Sequence, residues 1–176
     1  MKHLKHFSVL VFVLLLSLCC NTMMAQVVTT KTSVLKNGVY GPELIVNGGF
    51  EEGNSGFLTE YNYQTPGTNT MVPEGTYGVG YYGGDYHTGF KGTAFEGQNY
   101  MLLNGHTNAT YGAGNATAWE QTVSVEPGKV YEFSFMLNNL NGNPSANLSL
   151  YINDVLVQGD IIAPASNTNN IWEKHI

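Results

Sequence analysis

The alternation that decides the fold runs through residues 118–137, which read AWEQTVSVEPGKVYEFSFML. Large side chains fall on every second position, and they are Trp119, Gln121, Val123, Val125, Tyr131, Phe133, Phe135 and Leu137. A period of two is typical of strands with one buried face. Pro127-Gly128 supplies a turn between the two halves. The stretch therefore predicts two antiparallel strands joined as a hairpin.

Two further segments carry the same period. Residues 147–152 place Leu148, Leu150 and Ile152 on one face, and Asn153-Asp154 then makes a tight connection to a second apolar run, which predicts another hairpin. Residues 99–104 read as a strand with Met101 and Leu103 inward, and shorter strands are predicted near 57–63 and 76–82. Since no long window has a helical period, we predict an all-β fold, an antiparallel β-sandwich.

Composition excludes several classes of protein. The 176 residues include 7 Lys+Arg and 13 Asp+Glu, for a net charge of −6, and none of the basic residues is arginine. Such a chain has almost nothing with which to bind nucleic acid. Because 43% of residues are hydrophobic and only 11% are charged, the chain also lacks the signature of a disordered protein.

Residues 1–25 have the pattern of a secretory signal peptide. Lys2 and Lys5 precede an apolar run over 10–18 that is short for a membrane span, and cleavage after Ala25 is expected. Lipid anchoring at Cys19 or Cys20 is the alternative. We therefore expect a secreted or cell-surface protein without a membrane span. Its exported part has no cysteine and a net charge of −8. The fold must therefore be stabilised by its core and not by disulfides, which favours a structural metal ion.

The domain is predicted to begin at residue 43. Residues 26–42 are rich in Thr and Val and end in turn-forming residues, as expected of a linker or lead-in strand. The stretch Glu43-Leu44-Ile45-Val46-Asn47-Gly48-Gly49-Phe50-Glu51-Glu52-Gly53 then joins a short strand to a sharp turn. Phe50 is expected to re-enter the core. The single domain spans residues 43–176.

Several of these motifs together resemble a known family. The pattern Trp119-x-Gln121-x-Val123-x-Val125-x-Pro127-Gly128-x-x-Tyr131-x-Phe133-Ser134 is similar to the central hairpin of galactose-binding-like, jelly-roll carbohydrate-binding modules of the cellulose- and xylan-binding group. Residues 43–53 resemble the start of such galactose-binding-like modules, and residues 84–89, 99–105 and 147–153 resemble a subgroup found in secreted surface proteins of gliding and related bacteria. The resemblance spans residues 43–172. It implies a calcium-stabilised, non-catalytic β-sandwich that is often one module of a multidomain protein.

The resemblance also implies a site residue and a departure. Glu51 matches a first-strand glutamate that binds a structural Ca²⁺ together with an acidic pair on the last strand. The chain ends at Ile176, before such a strand. We therefore expect the C-terminal strands of the jelly roll to be missing, with other domains of a longer chain as partners. Because Ca²⁺ takes six to eight oxygen ligands, Glu51 alone would supply too few, and it could equally be an exposed turn acid.

Sugar binding has a physical basis in the glycine-rich region before residue 95. Pyranose rings stack on aromatic rings, and sugar hydroxyls form hydrogen bonds with carboxylates and amides. The candidate ligand-binding residues are Tyr61, Tyr63, Tyr81, Tyr82, Asp85 and Tyr86. The alternative is that most of these tyrosines pack in or at the rim of the core. A polysaccharide or glycan is the expected ligand.

Catalytic patterns are weaker. Asp85, His87 and His106 lie in loops without a metal-ligand spacing, and no pair stands out among the acids Glu51, Glu52, Glu60, Glu74, Asp85 and Glu96. The sequons at Asn108, Asn115 and Asn147 matter only in a glycosylating host. Three hypotheses result: a sugar-binding module, a structural or adhesive spacer of a surface protein, and a glycan-cleaving enzyme, in that order.

Overall fold

The computed structural model describes residues 41–105, 116–140, 147–162 and 171–176, and for 4–12 and 22–26 it describes the pairing of the backbone. Two sheets form this part of the chain. Sheet I has the order β6 (Ala116–Ser124), β1 (Leu4–Phe12), β8 (Asn147–Ile152) and β9 (Val155–Ile162). Sheet II has the order β10 (Glu173–His175), β7 (Phe135–Asn139), β2 (Thr22–Gln26), β5 (Tyr100–Asn104), β4 (Thr76–Gly80) and β3 (Asn62–Tyr63). The prediction of an all-β fold is confirmed.

One apolar cluster draws on both sheets. Trp119 and Val123 of β6 and Leu148 of β8 belong to the same buried cluster as Met101 of β5 and Leu137 of β7. The faces predicted for β5, β6 and β8 are therefore correct. Burial of these side chains removes apolar surface from water, which is the main stabilising contribution in a domain of this size.

Sheet II is buried on both faces, which the sequence did not predict. A second cluster covers its outer face, and it consists of Met71, Tyr86, Phe90, Tyr100, Leu102 and Leu140. In β5 the odd-numbered residues face the first cluster and the even-numbered ones face the second. The glycine-rich loops between residues 64 and 95 contribute several members of this outer cluster, so they are part of the packed structure.

The hairpin predicted for residues 147–157 is confirmed. Asn153 and Asp154, with φ of 52° and 63°, join β8 to β9. Positive φ at both central residues is the requirement of a type I′ turn, which matches the twist of the flanking strands. Asn and Asp adopt this conformation more readily than other residues with a Cβ.

The hairpin predicted for residues 118–137 is wrong. β6 pairs with β1 in sheet I, whereas β7 pairs with β2 and β10 in sheet II. Residues 125–134 cross from one sheet to the other, and Phe133 packs against the first cluster without belonging to a strand. Alternation reports which face of a strand is buried and not which strand lies beside it. The two halves therefore meet through their side chains across the core.

Strand β3 differs from the prediction as well. It has two residues, and it pairs with β4 in parallel, unlike the antiparallel pairs elsewhere among the described strands. Leu58 lies in a separate bridge to Glu120 of β6. The glycines and exposed polar residues of this region leave too few buried apolar positions for a longer strand.

The predicted signal peptide supplies a strand to each sheet. β1 lies between β6 and β8, and β2 lies between β5 and β7, each antiparallel to both neighbours. The predicted linker lies mostly outside the described residues, as do His106, Asn108 and Asn115. A search of the described residues for a helix with the length and apolar character of a membrane span finds none.

Candidate functional site

The turn after residue 43 is held to sheet I. The Val46 N–H donates to Oε1 of Gln121 at 2.8 Å, and Gln121 Nε2 donates to the Val46 carbonyl at 2.9 Å. Asn47, with φ of 53°, donates through Nδ2 to the carbonyls of Gly53 and Ser55. Phe50 is fully buried, so the prediction that it re-enters the core is confirmed.

Glu51 has a structural role in this turn. Its Oε1 accepts the N–H groups of Gln98 at 2.8 Å and Asn99 at 3.0 Å, directly before β5. Gly97, with φ of +69°, leaves room for the carboxylate, because an added Cβ would collide with Oε1. The carboxylate thus fixes the entry of a central strand through charge-assisted hydrogen bonds.

The donors around Glu51 fit a Ca²⁺ ion only in part. Ca²⁺ needs six to eight oxygens, and Oε1 of Glu51 is already engaged with two N–H groups. Within the described ranges, no three His, Cys, Asp or Glu side chains come together in a group that could hold a metal ion. The described residues do not form a complete calcium site, and a structural Ca²⁺ remains a proposal.

Two of the predicted ligand-binding tyrosines lie in the interior. Tyr86 is 0% exposed in the outer cluster, and Tyr61 is buried in the cluster between the sheets. The Tyr86 ring covers β4 so closely that a Cβ added at Gly78 would lie 2.5 Å from its Cε1. Neither ring has a face on which a sugar could stack, so both positions are corrected from ligand platforms to core residues.

Hydroxyl groups of the outer cluster are used internally. Tyr86 donates to the Val79 carbonyl at 2.6 Å, and Tyr100 donates to the Gly92 carbonyl at 2.9 Å. Burial, with smaller contributions from Tyr63 and Asp85, raises the pKa of Tyr86 to about 12. Burial likewise raises the pKa of Tyr100. Both hydroxyls therefore stay protonated at neutral pH and anchor loops to the sheet.

A group of aromatic residues lies at the edge of the outer cluster. We call it the aromatic rim, and it consists of the exposed Tyr81, Tyr82 and Phe95 and the half-buried Trp172. Tyr81 is 53% exposed and Phe95 48% exposed. A bridge between Tyr82 and Thr93 brings the segment of Tyr81 and Tyr82 beside that of Phe95. Phe95 contacts Trp172 edge to face, with ring centroids 6.4 Å apart.

The other two predicted ligand residues are not members of the rim. Tyr63 is exposed on β3, where its ring leans on Tyr77 with centroids 5.3 Å apart. Asp85 is exposed in the 3₁₀ turn after Tyr82, and its backbone carbonyl accepts the Gly67 N–H. Of the six predicted positions, Tyr81 and Tyr82 alone form part of the rim.

Two of the candidate catalytic residues have structural contacts. His87 stacks on Phe90 at a centroid distance of 4.2 Å, and its Nδ1 accepts the Gly89 N–H. Glu60 accepts the Thr117 N–H through Oε2, which ties the loop before β3 to β6. These contacts stabilise loops, and the acid–base role that the sequence left open stays a hypothesis.

Sequence reasoning missed two members of the rim, Phe95 and Trp172, and also Asn138, which lies opposite Trp172 in the register of β7 and β10. Asn138 is 0% exposed in β7, and neither atom of its amide group has a hydrogen-bond partner among the described residues. The indole N–H of Trp172 is also buried and lacks a partner in this part of the chain. The signal available in the sequence was the polar pair Asn138-Asn139 inside the apolar run that ends at Leu140.

Comparison with known proteins adds no relative to this description. The chain matches no protein-family model, no curated protein sequence and no solved structure. The resemblance to carbohydrate-binding jelly rolls consequently stays an expectation from the quoted motifs, while the all-β class follows from the strands themselves.

Proposed function

We propose that this chain is a non-catalytic, extracellular carbohydrate-binding module, and that the aromatic rim is its ligand surface. The observation that carries the proposal is the exposure of Tyr81, Tyr82 and Phe95 on ordered loops that are packed against a buried cluster. Exposed aromatic rings of this kind are unusual on a surface that serves only solubility. Their apolar faces suit the C–H faces of pyranose rings.

The loops beneath the rim are held in place before any ligand arrives. The Gly83 N–H donates to the Gly92 carbonyl, which also accepts the Tyr100 hydroxyl. The Tyr82–Thr93 bridge adds a second link between the two segments. A rigid platform loses little conformational entropy on binding, and this favours recognition of flexible glycans.

The charge of the protein fits a neutral ligand. A net charge of −6, or −8 without residues 1–25, repels acidic polysaccharides. Neutral polymers such as xylan and cellulose carry no such penalty. Xylan and cellulose also give their names to the group of modules that the 119–134 motif resembles, so they are the first ligands to test.

The test is binding of xylohexaose and cellohexaose, and of the polysaccharides on a glycan array, to the full chain. We expect the double variant Tyr81→Ala/Tyr82→Ala to lose binding at an unchanged melting temperature. The matched control is Tyr151→Ala, because Tyr151 is a half-buried tyrosine of β8 in the other sheet. Equal affinity of the double variant and the wild type would refute the rim as the ligand surface.

A structural or adhesive spacer is the second candidate, and strand β9 favours it. β9 is an edge strand of sheet I, and its residues Val155, Leu156 and Val157 are all exposed. Consecutive exposed apolar residues on an edge strand favour pairing with another strand. Val157→Lys should then abolish self-association measured by analytical ultracentrifugation. Release of reducing ends from a bound polysaccharide would instead support a glycan-cleaving enzyme.

A further inference from the structure

Asn138 and Trp172 lie next to each other on the outer face of sheet II. β10 pairs with β7 so that Glu173 is opposite Leu137 and Lys174 is opposite Met136. One step further along this antiparallel register, Trp172 is opposite Asn138, and side chains of opposed residues point to the same face. Trp172 packs against the outer cluster, which fixes that face.

Both side chains bury polar atoms that have no partner. The Nδ2 and Oδ1 atoms of Asn138 and the Nε1 atom of Trp172 are inaccessible to solvent and form no hydrogen bond with any residue that the structure describes. Buried polar groups are almost always paired in folded proteins, so unpaired groups side by side point to a bound group that completes them.

The chemistry of that group follows from the donors and acceptors. The indole offers one N–H donor, and the amide offers N–H donors and a carbonyl acceptor. A hydroxyl group can accept one hydrogen bond from each side chain and donate its own proton to Oδ1 of Asn138. A carboxylate has no proton to donate, and an ammonium group could not accept from the indole.

The surroundings favour a hydroxyl that belongs to a ring. The Trp172 ring contacts two other rings, Tyr100 at a centroid distance of 5.9 Å and the exposed Phe95 at 6.4 Å. Tyr100 is fully buried and its hydroxyl is bound to the Gly92 carbonyl, so its position is fixed. Phe95 lies at the surface, and because the indole N–H is inaccessible, a ligand reaches it only if side chains of the rim move.

We infer that Asn138 and Trp172 form a subsite that binds one hydroxyl group of the glycan held on the aromatic rim. This inference rests on the proposed function and adds a specificity-determining pair to it. A bound water molecule could make the same hydrogen bonds as a sugar hydroxyl, and the pair would then be a purely structural site. Titration in solution and crystal structures distinguish the water from the sugar hydroxyl.

The first experiment uses the wild-type full chain with ¹⁵N-labelled tryptophan. The chain has two tryptophans, and Trp119, which is buried in the cluster between the sheets, serves as the internal control. On titration with xylohexaose or cellohexaose, we expect the Trp172 indole resonance to shift and that of Trp119 to stay. A Trp172 resonance that does not move while the hexaose binds would overturn the subsite and leave the proposed function standing.

The second experiment removes the polar atoms and keeps the shapes. Trp172→Phe deletes the indole N–H, and Asn138→Leu deletes the amide at similar volume. Each should weaken hexaose binding by about tenfold, because one hydrogen bond contributes a factor of that order. Phe95→Ala keeps both polar groups and removes the ring that contacts Trp172, so it measures how much the aromatic contact alone contributes to binding. Unchanged affinity in both polar variants would overturn the subsite.

A crystal structure of the wild type with and without the hexaose separates the two sources. We expect a sugar hydroxyl within hydrogen-bond distance of both side chains in the complex. A water molecule that occupies the position in both structures would overturn the inference. A wild type that binds no glycan at all would refute the proposed function, and the subsite with it.

Discussion

The rings of Trp119 and Phe133 stack across the interior, with centroids 6.1 Å apart and planes inclined by 30°. Trp119 belongs to β6 in sheet I, and Phe133 leads into β7 of sheet II, with its ring also near Phe135. The contact joins the two sheets at the point where the chain crosses between them. A connection that has no strand pairing of its own is therefore fixed by aromatic packing.

Replacing Phe133 by alanine should lower the free energy of unfolding by about 3 kcal/mol. This is the lower end of the range for a core phenylalanine, because Phe133 is half-buried. Denaturant unfolding followed by tryptophan fluorescence measures the change. Val130→Ala is the control, since Val130 is exposed in the same crossing. Similar losses for both variants would contradict the role given to the stack.

Glu51→Ala should destabilise the protein by about 2 kcal/mol, because two backbone N–H groups lose a charged acceptor. Glu51→Gln keeps an oxygen acceptor and should cost less. The control is Glu52→Ala, which changes the exposed neighbouring acid. Chemical denaturation of the four proteins checks the order. A Glu51→Ala variant as stable as Glu52→Ala would show that the carboxylate does not hold the loop before β5.

Calcium should raise the melting temperature of this chain little. An ion that binds only the folded state stabilises it by RT ln(1 + [Ca²⁺]/Kd), and we expect a large Kd because Oε1 of Glu51 already accepts backbone N–H groups. Thermal melts in calcium and in chelator measure the shift. A large shift that Glu51→Gln abolishes would contradict this expectation and establish a calcium site.

Stability should fall as the pH rises from about 10 to about 12. The pKa of Tyr86 is raised to about 12 by burial, and that of Tyr100 is raised as well. Between these pH values the unfolded chain loses protons that the folded chain keeps, so ionisation favours unfolding. Below about pH 10 both states hold the protons and the effect is constant.

Thermal melts together with tyrosinate absorbance measure this alkaline transition. Tyr86→Phe should lose the Val79 hydrogen bond at neutral pH and show a shallower decline above pH 10. Tyr81→Phe is the control, because Tyr81 is exposed. A decline of equal slope in wild type and Tyr86→Phe would exclude Tyr86 as a source of the pH dependence.

Removal of residues 1–25 should weaken both sheets, because β1 and β2 lie between other strands. We expect residues 26–176 to melt at a lower temperature than the full chain. A synthetic peptide of residues 4–12 added in trans should restore part of the difference by strand pairing. The control peptide carries Val9→Pro, which removes a backbone N–H. Identical melting of the two chains would show that these strands contribute nothing to stability.

The sequence by itself determined the inward face of strands β5, β6 and β8. Residues such as Met101, Leu103, Leu148 and Leu150 lie inward as their alternation predicts, because a side chain's face depends only on its position within its own strand. The tight turn at Asn153-Asp154 was also predictable from the sequence, because Asn and Asp adopt positive φ more readily than most residues. These properties are local, so composition and spacing suffice to predict them.

Only the tertiary structure decided which strands are neighbours and which aromatic residues are exposed. β6 and β7 read as one hairpin yet lie in different sheets, because pairing depends on contacts between residues distant in sequence. Tyr81 and Tyr86 have similar neighbours in the chain, but a pair of glycines in β4 admits the ring of Tyr86 against the sheet and leaves Tyr81 in solvent. Asn138 lies opposite Trp172 because of the register between β7 and β10. The alternation of apolar residues does not determine this register, since the same alternation is compatible with many partner strands.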